Sequence, residues 1–156
     1  MERLSITLVT VLSLNLGAAY AQGPHAHAPA HDDRVVLELS PAERVVILEE
    51  MRMLLAGVQK MTGALGQQDM PAVAEAARAL GQKMAHEVPP ELRAKLPLEF
   101  RQLGSSVHRD FDQIALDADS LKDVSYSLTQ LSTTLQKCVS CHAAYQIQAP
   151  ALSLGQ

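Results

Sequence analysis

The sequence predicts an all-α fold, an antiparallel four-helix bundle over residues 40–147. Four segments carry apolar residues spaced alternately by three and four positions, which places those residues along one face of a helix. The segments are joined by short connections, and none of them reads as a convincing strand. Amphipathic helices with short connections pack as antiparallel neighbours around one core, so a single domain is expected.

The first helix is expected over residues 41–65. Ser40, Pro41 and Glu43 supply an N-cap, a proline at the first helical position and an acid at N3, which together form a capping box. Gly66 ends this helix. Its stripe, expected to face the core, consists of Ile47, Met51, Leu54, Val58, Met61 and Leu65.

The second helix is expected as one element from Asp69 to the Pro89-Pro90 pair, with one further helical turn over residues 91–96. Its stripe is Met70, Val73, Ala77, Leu80 and Met84. The third helix begins at Pro97, and its buried face is Phe100, Leu103, Val107, Phe111, Ile114 and Ala118. His108 lies beside that face and is expected to be an edge residue bonded to a neighbour.

The fourth helix is expected to be capped by Asp119 or Ser120. Its stripe is Leu121, Val124, Leu128, Leu131, Leu135, Cys138, His142 and Tyr145. This register predicts that Cys138 and His142 face the core, one turn apart.

The only two cysteines of the chain lie in the segment Cys138-Val139-Ser140-Cys141-His142. Two thiols three residues apart can add to the two vinyl groups of a haem, and the adjacent imidazole can then bind the iron. The pattern therefore predicts one covalently bound haem c, with Cys138 and Cys141 as thioethers and His142 as the proximal iron ligand.

Three other readings of the two cysteines fit less well. A thioredoxin-like pair belongs at the N-terminus of a helix that follows a strand. A structural zinc site needs four ligands, and no second suitably spaced pair is present in the sequence. A disulfide between Cys138 and Cys141 would close a very small loop and stabilise almost nothing.

The N-terminus predicts export. Residues 1–21 combine Arg3, a mostly apolar run too short to span a bilayer comfortably, and an Ala19-Tyr20-Ala21 cleavage site. Cleavage after Ala21 would place the protein in the periplasm without stable membrane insertion. Residues 22–39 are expected to be a flexible arm whose histidines offer an alternative role in metal handling, and residues 148–156 a tail. The net charge of −4 argues against nucleic-acid binding.

The chain resembles the class II c-type cytochromes, that is, cytochrome c′ and its low-spin, methionine-ligated relatives. The similarity consists of the late C-x-x-C-H, Tyr145 three residues after His142, and the four-helix pattern over residues 40–146. Periodicity alone leaves Met51 and Met61 as nearly equal candidates for a distal iron ligand. The resemblance implies that the segment Lys60-Met61-Thr62-Gly63 aligns so that Met51 takes the distal position.

The expected function is that of a periplasmic monohaem electron carrier with low-spin iron between His142 and Met51. No cluster of catalytic acids, bases or nucleophiles is visible in the sequence, so the protein is not expected to be an enzyme. Its partners would be redox proteins, and the resemblance implies a homodimer through the first two helices. The alternative is a five-coordinate cytochrome that binds nitric oxide or carbon monoxide.

Overall fold

The computed structural model describes residues 32–148, and this part of the chain is mostly helical. Its elements are β1 (Val35–Val36), α1 (Pro41–Gly66), α2 (Met70–Arg78), α3 (Gln82–Ala85), α4 (Pro90–Lys95), α5 (Leu98–Ser120), α6 (Val124–Ala144) and β2 (Tyr145–Gln146). The all-α prediction is thus confirmed for residues 32–148. The predicted signal segment, residues 22–31 of the arm and residues 149–156 of the tail lie outside the described residues.

The start of α1 forms as predicted. Glu43 N–H donates to Ser40 Oγ at 3.3 Å, and Ser40 N–H donates to Glu43 Oε2 at 2.9 Å, so the capping box is complete. Lys95 Nζ donates to the second carboxylate oxygen, Glu43 Oε1, at 2.5 Å. The hydrogen bonds from Lys95 and Ser40 lower the pKa of Glu43 to about 2. The first turn of α1 is therefore fastened to α4 as well as capped.

The prediction of one continuous second helix is wrong, because α2 ends at Arg78 and α3 begins at Gln82. Gly81 lies in this break, and a Cβ atom there would overlap the carboxylate of Asp112 from α5. Asp112 Oδ2 accepts a hydrogen bond from the backbone N–H of Gln82 at 3.0 Å. An aspartate from a neighbouring helix thus occupies the space that a continuing helix would need, and it satisfies the new helix start.

This break yields a testable expectation for stability. Substituting Gly81→Ala should lower the free energy of unfolding by roughly 1–3 kcal/mol, because the added methyl group forces the Asp112 carboxylate away. Gly63→Ala is the matched control, since a Cβ there meets no heavy atom within 4 Å. In the last turn of α1 that change should stabilise by about 0.4–1 kcal/mol, because alanine has fewer conformations to lose on folding. Urea unfolding followed by far-UV circular dichroism measures both, and equal effects would contradict this account of the break.

The last helix also begins later than predicted. Its N-cap is Asp123, whose Oδ1 accepts a hydrogen bond from the N–H of Tyr126 at 2.9 Å. The predicted caps, Asp119 and Ser120, instead belong to the final turn of α5. Lys122 joins the two helices with a φ of 54°, so the chain turns sharply within three residues.

The helices pack in sequence. α1 packs against α2, α2 and α3 pack against α5, and α5 packs against α6, whereas α1 and α6 are not among the closely packed pairs of residues 32–148. The main core includes Met61, Leu65, Met70, Val73, Ala77, Leu80, Met84, Val107, Phe111, Ile114 and Leu131. A second cluster, at the end where α1 begins and α6 finishes, contains Leu37, Ile47, Val88, Leu92 and Leu96, with Phe100, Tyr145 and Ile147 against it.

The expectation of no strand is wrong for two short segments. β1 and β2 pair in parallel, with Val35 opposite Tyr145, and Leu37 N–H donates to the carbonyl of Gln146 at 2.9 Å. Gln146 Nε2 donates to the carbonyl of Arg34 at 2.9 Å. The end of the predicted arm therefore lies against the chain that leaves α6. Two-residue strands far apart in sequence carry no periodic signal, so the sequence could not reveal them.

The predicted inner stripe of the last helix is confirmed only in part, because Leu131 is buried and Val124 and Tyr145 pack against the two hydrophobic clusters, whereas its other leucines do not. Leu121, Leu128, Leu135 and His142 are exposed, and the buried residues of α6 are Ser127, Leu131 and Thr134. The reason is polar pairing with α5. Lys137 Nζ lies 2.5 Å from Asp110 Oδ2, and Gln130 Nε2 donates to Asp117 Oδ2 at 2.6 Å. These contacts turn α6 so that Leu128 and Leu135 lie beside the buried face, while Leu131 remains within it.

Candidate functional site

The two cysteines lie near the C-terminal end of α6, three residues apart on one side of the helix. Both thiols are free and partly buried. Burial raises the pKa of each thiol, and the neighbouring Cys138 raises that of Cys141 further. Reactive C-x-x-C pairs instead have a lowered pKa at a helix N-terminus. The arrangement is therefore unlike that of a thioredoxin-type site.

His142 follows Cys141 in the last turn of α6, and its side chain is exposed. Its backbone carbonyl accepts a hydrogen bond from Arg34 Nη1 at 3.2 Å. This contact joins the segment before α1 to the end of α6, next to the paired strands. An exposed imidazole beside two thiols is the donor set that the C-x-x-C-H pattern predicted, although it does not face the protein core as expected.

An apolar row of α6 lies on the side turned away from α5. Leu128, Leu135 and His142 recur every seven residues and so share one side of the helix. The side that contacts α5 carries Gln130, Thr134 and Lys137. Leu128 is 47% exposed and Leu135 37% exposed. The row is thus apolar but not packed into the core.

A matching row lies on α1. Gly57 marks the side of α1 that contacts α2 and the chain after it, because a Cβ atom there would lie 2.5 Å from the Leu80 side chain. With 100° per residue, Leu48, Met51 and Leu55 lie about 120° to 180° around the helix from Gly57. Leu48 and Met51 are partly buried and Leu55 is exposed. We call these three residues, together with Leu128, Leu135 and His142 of α6, the open face.

In the antiparallel bundle that the sequence predicts, Met51 and His142 would lie at about the same level of the two helices. Ile47 of α1 and Tyr145 after α6 belong to the second hydrophobic cluster. At 1.5 Å per residue, Met51 lies about 6 Å beyond Ile47 along α1, and His142 about 4.5 Å before Tyr145 along α6. Because α1 begins and α6 ends near this cluster, antiparallel packing of the two helices would displace both residues the same way.

The two candidate methionines have different environments. Met61 is fully buried inside the main core, and it lies about 15 Å further along α1 than Met51. Met51 is partly buried and belongs to neither hydrophobic cluster of residues 32–148. The structure therefore separates two residues that periodicity alone left nearly equal.

His108 makes the contacts of a structural anchor. Its ring contacts neighbouring polar groups, as expected. It does not lie at the edge of the buried face, however, but is buried between α1 and the break that follows α2. Nδ1 lies 2.7 Å from the carbonyl oxygen of Leu80, and Nε2 lies 3.4 Å from Glu50 Oε1. A carbonyl only accepts, so Nδ1 carries a hydrogen. Sequence reasoning missed the Glu50 partner, because no local pattern links residues on separate helices.

The pKa of His108 is raised. Burial opposes protonation of the ring, but the hydrogen bonds to Glu50 and Leu80 and the charges of Glu50 and Asp112 outweigh that effect. The stability that the charged ring contributes is therefore fully present below pH 6.5 and is lost as the pH rises through the raised pKa of the folded protein.

The direction of this pH dependence of stability can be checked with the variant His108→Gln. The difference in unfolding free energy between the wild type and this variant should narrow as the pH rises from about 6 to about 9, while the imidazole loses its charge. Urea unfolding at a series of pH values measures it. A difference that stays constant or widens would show that the imidazolium form is not the stabilising one.

Compared with models of protein families, with curated proteins and with solved structures, the chain matches none of them. Within residues 32–148, no three His, Cys, Asp or Glu side chains lie together as a metal-holding group. None of the helices that the structure describes is long and apolar enough to cross a membrane. The function therefore has to be inferred from the residues of the site.

Proposed function

We propose that this protein is a periplasmic monohaem c-type cytochrome that carries electrons to and from redox partner proteins. The observation that carries the proposal is the C-x-x-C-H segment at the end of α6, with free thiols and an exposed imidazole beside an apolar open face. That segment is typical of covalent haem attachment, because its two thiols can bond to the two vinyl groups while its histidine binds the iron. Residues 1–21 support the periplasmic part of the proposal.

The architecture proposed for the domain is a four-helix bundle formed by α1, α2 with α3, α5 and α6. Two features support it. Each of these elements packs on the next in the chain, and β1 with β2 joins the start of α1 to the end of α6. In such a bundle α1 and α6 are neighbours, and the open face lies between them.

The two cysteines and the residues of the open face fit a haem in chemical type. Cys138 and Cys141 would form the thioethers and His142 would bind the iron, while the four leucines would contact the apolar porphyrin. Covering exposed apolar side chains is favourable by about 25 cal/mol per Å². When bound, the haem supplies a one-electron couple, and an apolar surrounding tunes its potential.

Met51 is the proposed distal ligand. Its level along α1, its side of the helix and its partial burial on the open face support this choice over Met61, which fills the core. Methionine opposite histidine raises the potential of the iron. Six protein and porphyrin ligands leave no position for a gas, which suits electron transfer better than gas binding.

The proposal is tested by producing the chain in cells that attach haem to c-type cytochromes and recording visible and EPR spectra of the purified protein. We expect a covalently bound haem with low-spin ferric iron. High-spin ferric iron would overturn electron transfer through a His142–Met51 centre and favour a five-coordinate, gas-binding cytochrome. Absence of covalent haem, with a control cytochrome loaded in the same cells, would overturn the proposal as a whole.

A further inference from the structure

We propose that His108 is a positioning residue, which holds Glu50 and thereby sets the rotation of α1 that presents Met51 to the open face. The inference rests on the proposed function, because it assigns a role to a residue that supports the distal ligand. It concerns a contact between α1 and α5 that neither the haem motif nor the apolar stripes require.

The imidazole of His108 is itself fixed in place. Its Nδ1–H donates to the carbonyl of Leu80 at 2.7 Å, in the break between α2 and α3. The Leu80 side chain is buried and closely packed against Gly57 of α1. One turn along α5, Asp112 holds the first backbone N–H of α3. The ring therefore projects from a rigid junction, and its Nε2 meets Glu50 Oε1 at 3.4 Å.

Apolar packing holds this part of α1 weakly. Between Ile47 and Gly57, no residue of α1 is fully buried. The Glu50 side chain, at 14% exposed, is nevertheless drawn in toward His108. Over these turns the polar contact therefore acts together with Leu54, the partly buried side chain that packs against the main core, in selecting one rotation of the helix about its axis.

That rotation decides where Met51 lies. Glu50 and Met51 are consecutive, so they project about 100° apart around α1. With Glu50 held toward α5, Met51 lies on the side that carries Leu48 and Leu55, which the proposed bundle turns toward α6. A buried carboxylate–imidazole pair gains little stability over an apolar pair of similar size, because desolvation offsets the attraction. The pair of Glu50 and His108 instead fixes the orientation of α1, which an apolar pair would not do.

The test compares three variants of the holoprotein. In Glu50→Leu/His108→Leu both partners become apolar. The unfolding midpoint in urea should fall moderately, because the Leu80 carbonyl loses its donor, while the protein stays folded. The methionine-to-iron charge-transfer band of this double variant should weaken. Carbon monoxide should bind its ferrous form about two- to thirtyfold faster, which is the range expected when a residue affects a ligand without contacting it. Glu50→Gln keeps a hydrogen bond to Nε2 and should retain the wild-type band and rate.

Lys95→Gln is the control, because it removes another polar contact to α1, the one at Glu43 near its start, and should leave the band unchanged. If the wild type is low-spin and the double variant keeps its band and rate, the positioning role is wrong while the proposed function stands. If Glu50→Gln loses the band as fully as the double variant, the hydrogen bond is not what positions Met51, and the inference is again wrong. A high-spin wild type overturns the proposed function first and removes the basis of this inference with it.

Discussion

The double substitution Cys138→Ala/Cys141→Ala is expected to abolish covalent haem attachment completely. Thioether bonds need both sulfur atoms, and residues 138 and 141 are the only cysteines of the chain. Each single variant should retain one thioether and less haem. Visible spectra of the pyridine complex after acid–acetone extraction measure the haem that stays with the protein. Ser140→Ala, between the cysteines and exposed, is the matched control and should keep its haem.

The same double variant should also be less stable than the holoprotein. The open face exposes leucines of α1 and α6 that the haem would cover, and the chain after residue 21 has only four aromatic side chains to fill a core. We expect a lower urea midpoint with helical circular dichroism partly retained. A variant that loses its haem but unfolds at the wild-type midpoint would contradict a haem that contributes to the core. A variant that keeps extraction-resistant haem would contradict the attachment site itself.

Met51→Ala is expected to convert the iron from low-spin to high-spin, to lower its reduction potential and to open it to carbon monoxide. Alanine has no sulfur, so the distal position loses its ligand, and methionine ligation is what raises the potential. The effect on stability should be small by comparison, because Met51 is only partly buried and belongs to neither hydrophobic cluster of the described chain. EPR, visible spectra and a redox titration measure the three changes.

Met61→Ala provides the matched control on the same helix. Met61 is fully buried, so its truncation should cost about 2–5 kcal/mol of stability while the iron stays low-spin. Met51→Ala should therefore change the spin state with little effect on stability, whereas Met61→Ala should lower the stability without changing the spin state. A low-spin Met51→Ala protein beside a high-spin Met61→Ala protein would reverse the assignment of the distal ligand.

Much of the fold could be predicted because its signals are local. The capping box of Ser40 and Glu43 fixes the start of α1 within four residues, and the stripe from Met70 to Met84 is buried as its spacing predicts. The break at Gly81 could not be predicted, because the stripe continues through it and its cause, Asp112, lies on another helix. β1 and β2 could not be predicted either, because strands of two residues have no periodic pattern of their own.

The residues of the proposed site can be named from the sequence, but their orientation could not be predicted. Cys138, Cys141 and His142 are read from five consecutive residues. The apolar pattern of α6 pointed its leucines inward, whereas the polar pairs of Lys137 with Asp110 and Gln130 with Asp117 decide the rotation of that helix. The pairing of Glu50 with His108 likewise depends on how three helices meet. Contacts between distant polar residues therefore hold the information that periodicity lacks.

The central claim, covalent haem at the end of α6, is tested most directly by the mass of one peptide. Trypsin cleaves after Lys137, and residues 138–156 contain no lysine or arginine, so both cysteines and His142 stay together on one fragment. We expect this fragment, from protein made in cells that attach haem to c-type cytochromes, to be heavier by one haem and to have no free thiol. A fragment of unmodified mass, with its thiols free or joined as a disulfide, would contradict it, provided that a control cytochrome from the same cells carries its haem.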